Sequence, residues 1–266
     1  MEQIKVIGGR SLPRRISFIS ERYVAEAVCS KTGEITSTVR ALPAYLTALL
    51  RKSSFPIPKI LQLFAFAFGL VSTKTRVLIA SYSVAMWFVI PRLEAFSTHI
   101  QTLDKAHLDK SDALRLVIFT FTLLVIELAF FVVAFVTIRR LASWHGAEHM
   151  AFASYERGRL EIEDIAKENR VSPKCGGRLF LPLFLAAAIA IYISKHLNIS
   201  SLFILPFFYE LVLQIDGRKG FDKIPPFAQA SILLQRYFTT KQPGMIEMKT
   251  AQTALLALVN THRISG

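Results

Sequence analysis

Cysteine, acidic charge and nucleotide-binding glycine patterns are scarce or missing in this chain. Its 266 residues include two cysteines, Cys29 and Cys175, far apart and in polar or loop-like settings. That argues against a disulfide framework and suits a reducing compartment. Only 19% of residues are charged, fewer than a soluble domain of this length carries. There is no Walker loop, no G-x-G-x-x-G and no G-x-S-x-G elbow, so P-loop, dinucleotide and serine-elbow chemistries drop out. No apolar stretch follows the charges of the opening MEQIKVIGGRSLPRR, so no cleavable signal peptide is expected. Internal repeats and low-complexity tracts are also missing.

What is present is apolar mass and positive charge. Hydrophobic residues make up 52% of the chain, with 21 Phe, and the formal net charge is +13. The apolar surface needs lipid or a very large core, and the run lengths favour lipid. Leu116 to Ile138 carries one charge, Glu127, and stops at Arg139-Arg140. Leu179–Ser194 and Ile199–Ile215 form a second pair whose short KHLN connection predicts an antiparallel helical hairpin. Val77–Pro91, bracketed by Arg76 and Arg92, is shorter and can span with snorkelling ends. The expectation is a mainly α, polytopic helical membrane protein with about four spanning helices.

The polar segments complete this layout. Residues 1–42 read as a β-rich region in which RYVAEAV and ITSTVRAL flank the hairpin connection KTGE. Gly8-Gly9 suggests a tight turn or close backbone packing. Residues 43–76 read as interfacial or re-entrant helices, 77–138 as a first transmembrane pair, and 139–178 as a polar loop or helix. A second pair fills 179–215, and 216–266 holds two amphipathic helices, about 227–238 and 244–259, expected on the cytoplasmic membrane surface.

Lys and Arg outnumber Asp and Glu ten to four in 1–59, eight to six in 139–178 and seven to three in 215–266, against four to four in 92–115. The alternation places both termini and the 139–178 loop in the cytoplasm. The basic excess is thereby explained without DNA. A ribosome, translocon or anionic-lipid contact is compatible with it, as is a homo-oligomer.

One motif carries chemistry: Trp144-His145-Gly146-Ala147-Glu148-His149. On a helix, His145 and His149 (i, i+4) share a face with Glu148 beside them. Two imidazoles one turn apart can bind Zn2+, and the carboxylate can act as general base or orient a ligand. The order H-x-x-E-H is that of inverzincin metalloproteases. The competing reading of the motif alone is an amphipathic surface helix with solvated histidines.

Candidate third ligands are Cys175, in the turn Ser172-Pro173-Lys174-Cys175-Gly176-Gly177, and Glu210, an ionisable residue inside the apolar FILPFFYELVLQI. A single Cys is more often a buried structural thiol. Glu156, on the histidine face, is a rival more readily explained as a solvated charge. Glu127 reads as a packing or protonated carboxyl. His99 and His107 lack ligand spacing.

IRRLASWHGAEH, ASYERG, the PKCGG turn, PFFYEL and LLQRYFTTKQP together resemble the YqhQ-like family, bacterial and archaeal membrane proteins described as predicted metal-dependent enzymes. The resemblance runs from about Thr137 to Ala257 and extends weakly to the N-terminus. It implies a metal site drawn from His145, Glu148, His149, Cys175 and Glu210. This chain departs from the family pattern at Ser172, where a His is usual, at Lys174 and Gly177 in the same turn, and at Met150, where a Lys is usual. PRRISFISER replaces the family's EGVMMR-like stretch. The chain thus resembles a divergent member. Two functions follow as expectations: a membrane-embedded Zn2+-dependent hydrolase acting at the cytoplasmic interface, or a non-catalytic accessory factor in membrane-protein insertion or assembly.

Overall fold

The computed structural model describes residues 4–44, 47, 58–62 and 110–265. The chain forms two units, one of Met1–Ala65 with Thr137–Gly266 and the other of Phe66–Val136.

The N-terminal segment of the first unit is a four-stranded antiparallel meander. Its strands are β1 (Val6–Leu12), β2 (Arg15–Ser20), β3 (Tyr23–Cys29) and β4 (Ile35–Ala41), in the order β1-β2-β3-β4. The expected hairpin is β3 paired with β4, with Cys29 opposite Ile35. Gly33 supplies the positive φ of 89° that its turn requires. At the β2–β3 corner the Ser20 hydroxyl accepts hydrogen bonds from the Arg22 and Tyr23 N–H groups, a side-chain closure typical of Ser in turns.

Ile16, Phe18, Ala25 and Ala27 lie on the covered face of the sheet with no exposed surface. The C-terminal helix Met245–Ser265 packs on this face. Its buried residues Met248, Ala251, Ala254, Leu255, Leu258 and Val259 recur at spacings of three and four, the period of a one-sided helix. Two of them are Ala, which lets the backbone approach the sheet closely. This corrects the expectation that the last helix rests on the membrane surface. Its apolar stripe is real, but protein covers it.

Among the described residues the longer helices, in chain order, are α1 (Lys110–Glu156), α2 (Ile162–Lys167), α3 (Phe180–Leu197), α4 (Ser201–Lys219), α5 (Pro225–Leu234) and α6, the C-terminal helix just described. α5 runs into a π turn, Gln235–Thr239. The last part of α1 joins the core through Trp144, Ala147, Met150, Ala151 and Tyr155. α3 ends at Asn198, which takes the left-handed conformation (φ 53°) and donates its N–H to the Ser194 carbonyl, a C-cap for which Asn is suited. α4 begins three residues later and packs along α3, so the expected helical hairpin is present. Arg178 holds it from below with two hydrogen bonds to Asp216, of 3.0 and 2.9 Å.

The architecture is therefore mainly α with a small N-terminal antiparallel sheet. Four spans are not supported. Among the described residues one helical stretch, Gly176–Leu197, is long and apolar enough to cross a membrane. α4 contains the expected fourth span but carries Pro206, Glu210, Asp216, Arg218 and Lys219. Leu116–Ile138 lies within α1, where Val117, Phe121, Leu128 and Val132 are all more than half exposed. The Val77–Pro91 segment and most of 43–76 lie outside the described residues.

Candidate metal centre

α1 is helical through Trp144–His149, so His145 and His149 project one turn apart on the same side. Their ring centroids are 4.3 Å apart. The Cys175 Sγ lies 3.7 Å from His145 Nε2, and one ligand atom from each of the three residues falls within 4.8 Å of the others. Tetrahedral Zn2+ bound at about 2.0–2.3 Å requires donors separated by roughly 3–4 Å, so the set is near coordinating geometry.

The outer nitrogen of each ring is engaged. His145 Nδ1 meets the Thr239 carbonyl at 3.1 Å, and His149 Nδ1 meets the Arg170 carbonyl at 2.8 Å. A carbonyl only accepts, so each Nδ1 carries the proton and each Nε2 keeps a lone pair. This is the outer-shell arrangement that orients metal-binding imidazoles. The donor types, their spacing and this tautomer all fit Zn2+.

Electrostatics agree. Burial lowers the pKa of His145, and lowers that of His149 to about 4, with His145 adding to the second effect. Both rings are neutral near pH 7, as ligation requires. Burial, reinforced by the Glu148 carboxylate, pushes the Cys175 thiol up. Glu148 is 8% exposed, and burial raises its pKa to about 7, against the effect of a hydrogen bond from Ser11. A carboxyl poised there can take or give a proton at physiological pH.

The four residues line a cavity of about 580 Å³, bounded by β1, this stretch of α1 and the Ser172–Gly176 turn. Several side chains that hold it together carry no signal in the sequence. Gln235, fully buried, accepts from the Ser172 N–H (2.9 Å) and donates to the Ser172 carbonyl (3.0 Å) and the Ser231 hydroxyl (3.1 Å). It thereby pins the cysteine turn through both backbone groups of Ser172. The π turn delivers the Thr239 carbonyl to His145, and π turns often occur at such sites. Gly146 admits the following strand of chain: a Cβ there would collide with the Lys241 carbonyl oxygen. The Gly8-Gly9 pair, expected in a tight turn or in close backbone packing, lies within β1, and at Gly9 a Cβ would stand 2.5 Å from Glu148 Oε1.

The other candidates sit apart. Glu210 is not in the metal group: one carboxylate oxygen accepts from the Ile60 N–H at 2.8 Å and the other from Gln214 Nε2 at 2.9 Å. It caps the helical residues 59–62, which occupies it structurally. Glu156 lines the cavity but forms an ion pair with Lys174. Ser172, where the resembled family has a His, lines the cavity beside the cysteine turn. Met150 is fully buried in the core. His99 and His107 lie outside the described residues.

Over residues 67–261 the chain matches the family described as "Protein of unknown function (DUF1385)". The chain belongs to that family. The DUF1385 match takes in His145, Glu148, His149 and Cys175, the π turn and most of α6, while the β-sheet precedes it. No curated protein and no solved structure matches the chain.

Proposed function

We propose that this protein is a multi-pass membrane protein with both termini cytoplasmic, and that it works as a Zn2+-dependent hydrolase at the inner membrane face. His145, His149 and Cys175 hold the metal, and Glu148 handles the proton. One observation carries this reading: two imidazole lone pairs and a thiol converge on one cavity wall beside a buried carboxyl that titrates near pH 7. The resemblance to the YqhQ-like membrane proteins and the exposed apolar surfaces of α1 and α3 support the setting.

Bound Zn2+ supplies Lewis-acid polarisation of a substrate oxygen. The chain's own residues do the rest. The Thr239 and Arg170 carbonyls fix ring orientation, and burial keeps the rings neutral. Glu148 removes a proton from the attacking water and returns it to the leaving group, so that water is divided between the two products.

The test is elemental analysis of full-length protein purified without chelator. The expected result is one zinc per chain, lost in His145→Ala and His149→Ala and weakened in Cys175→Ser. A metal-free preparation that folds normally would end the reading. The accessory-factor alternative rests on the +13 net charge, and salt-sensitive co-purification with ribosomes would favour it.

A further inference from the structure

One wall of the cavity is β1. Val6 to Ser11 line it without a gap. Successive residues of a strand point to opposite faces, so a wall formed by one strand face would contribute alternate residues only. The unbroken run, which includes the register shift between Val6 and Gly8, is the pattern of a strand that meets the cavity along its backbone edge. β1 is an outer strand, paired with β2 and, among the described residues, with no other strand. Such an edge is a template for another extended chain. Gly8 and Gly9 put no side chain on this stretch of β1: the space off Gly8 is open, and the space off Gly9 is filled by the Glu148 carboxylate.

Charge narrows the ligand class. The lining contains two cations, Arg10 and Lys174, and two carboxylates, Glu148 and Glu156. Arg10 is ion-paired with Glu26 and Lys174 with Glu156. A phosphate headgroup calls for a surplus of positive donors, whereas a neutral peptide backbone suits a balanced wall. Ile7, Leu141 and Phe152 in the same lining offer apolar contact for alternate side chains.

We propose that the cavity takes an extended peptide segment that adds to β1 as a fifth strand across Gly8 and Gly9, and that this peptide is the substrate. The inference rests on the hydrolase reading above. The bond broken is an amide: the water oxygen joins the carbonyl carbon and the C–N bond breaks. The proton taken by Glu148 passes to the leaving nitrogen, giving a carboxylic acid and an amine. An added strand would run about 4.8 Å from β1, on the strand whose Gly9 lies against the Glu148 carboxylate.

The experiment uses full-length, zinc-supplemented protein in nanodiscs and a fluorescein-labelled pool of Val/Thr-rich decapeptides. Amide exchange over residues 6–11 should slow when the pool is added. A pool N-methylated at alternate amides should bind roughly tenfold more weakly, because two or so backbone hydrogen bonds are lost. Mass spectrometry should find hydrolysed peptides, and Glu148→Gln should abolish cleavage while keeping the exchange protection. Unchanged exchange over β1, equal binding of the N-methylated pool, or protection by dihexanoyl phosphatidylglycerol instead would overturn strand addition. Strand protection with bound zinc and no cleavage would overturn the peptide as substrate. Zinc content is read separately, so protein that lacks zinc but still protects β1 counts against the hydrolase, not the pairing.

Discussion

Glu148 and His149 are neighbours on one helical turn, and burial moves them in opposite directions, because each is disfavoured in its charged form. For His149 the folded pKa is about 4 against 6.5 unfolded. Between those values the unfolded chain binds more protons. The neutral ring's contribution to stability is therefore complete above pH 6.5 and is lost as pH falls towards 4. For Glu148 the folded pKa is about 7 against 4.5. Its contribution is complete below 4.5 and is lost as pH rises through 7. Each effect is on the order of 3 kcal/mol. They oppose one another between pH 4.5 and 6.5, so chelated wild-type protein should change little in thermal stability across that window. Glu148→Gln removes one arm, and its melting temperature should rise steadily from pH 4.5 to 6.5. Near pH 8 it should exceed that of wild type. A flat profile in the variant would sink the assignment. With zinc present the same variant should keep its metal and lose turnover by roughly 10²–10⁴-fold. The shared face of the two histidines was legible from the H-x-x-E-H spacing, since i, i+4 fixes it once the segment is helical. Glu210 was misread for a physical reason. An acid in an apolar run signals a partner, but not which one, and here the partner is the backbone at Ile60.

At the scale of elements, the π turn after α5 is the support of the centre. It widens the last turn so that Thr240 N–H bonds back to the Gln235 carbonyl at 2.9 Å, while Thr239 turns its own carbonyl to His145. Lys241 N–H then bonds to the Ala142 carbonyl at 2.8 Å, laying this segment along α1 over Gly146. Gly146→Ala should push the segment off, break the Thr239 bond and weaken zinc affinity about 10–100-fold, although position 146 is not a ligand. Competition with a fluorescent zinc chelator reads this directly, and an unchanged affinity would refute the role given to the turn. Gln235→Ala should act similarly through Ser172, with an added cost of roughly 1–3 kcal/mol for buried partners left unpaired. Nothing in the sequence marks Gln235 or Thr239, because their parts are played by a backbone carbonyl and by an amide whose partner is 63 residues away.

For the whole molecule, α6 closes the unit that holds the site. Its stripe covers β2 and β3, and Leu258 has no exposed surface. Leu258→Ala should cost about 2–5 kcal/mol, seen as faster amide exchange in β2 and β3 together with α6. Exchange that changes in α6 alone would mean that the helix is not part of the core. The proposed topology is open to cysteine labelling from outside intact cells. A probe at position 265 should be protected and one at position 104 should react, and the reverse pattern would invert the orientation.

The one-dimensional order of residues determined what depends on local spacing. That includes the β3–β4 hairpin around Lys31–Glu34, the α3–α4 hairpin across a three-residue link, and the two histidines and carboxyl on one helical face. Only tertiary structure decided which apolar surfaces protein would cover. An amphipathic stripe such as that of α6 has the same periodicity whether it lies on a bilayer or on a sheet, and the free energy of removing it from water does not record what replaces the water. Tertiary structure alone also chose Cys175 over Glu210. Ligand convergence depends on distances between segments far apart in the chain, and no spacing rule reaches across them.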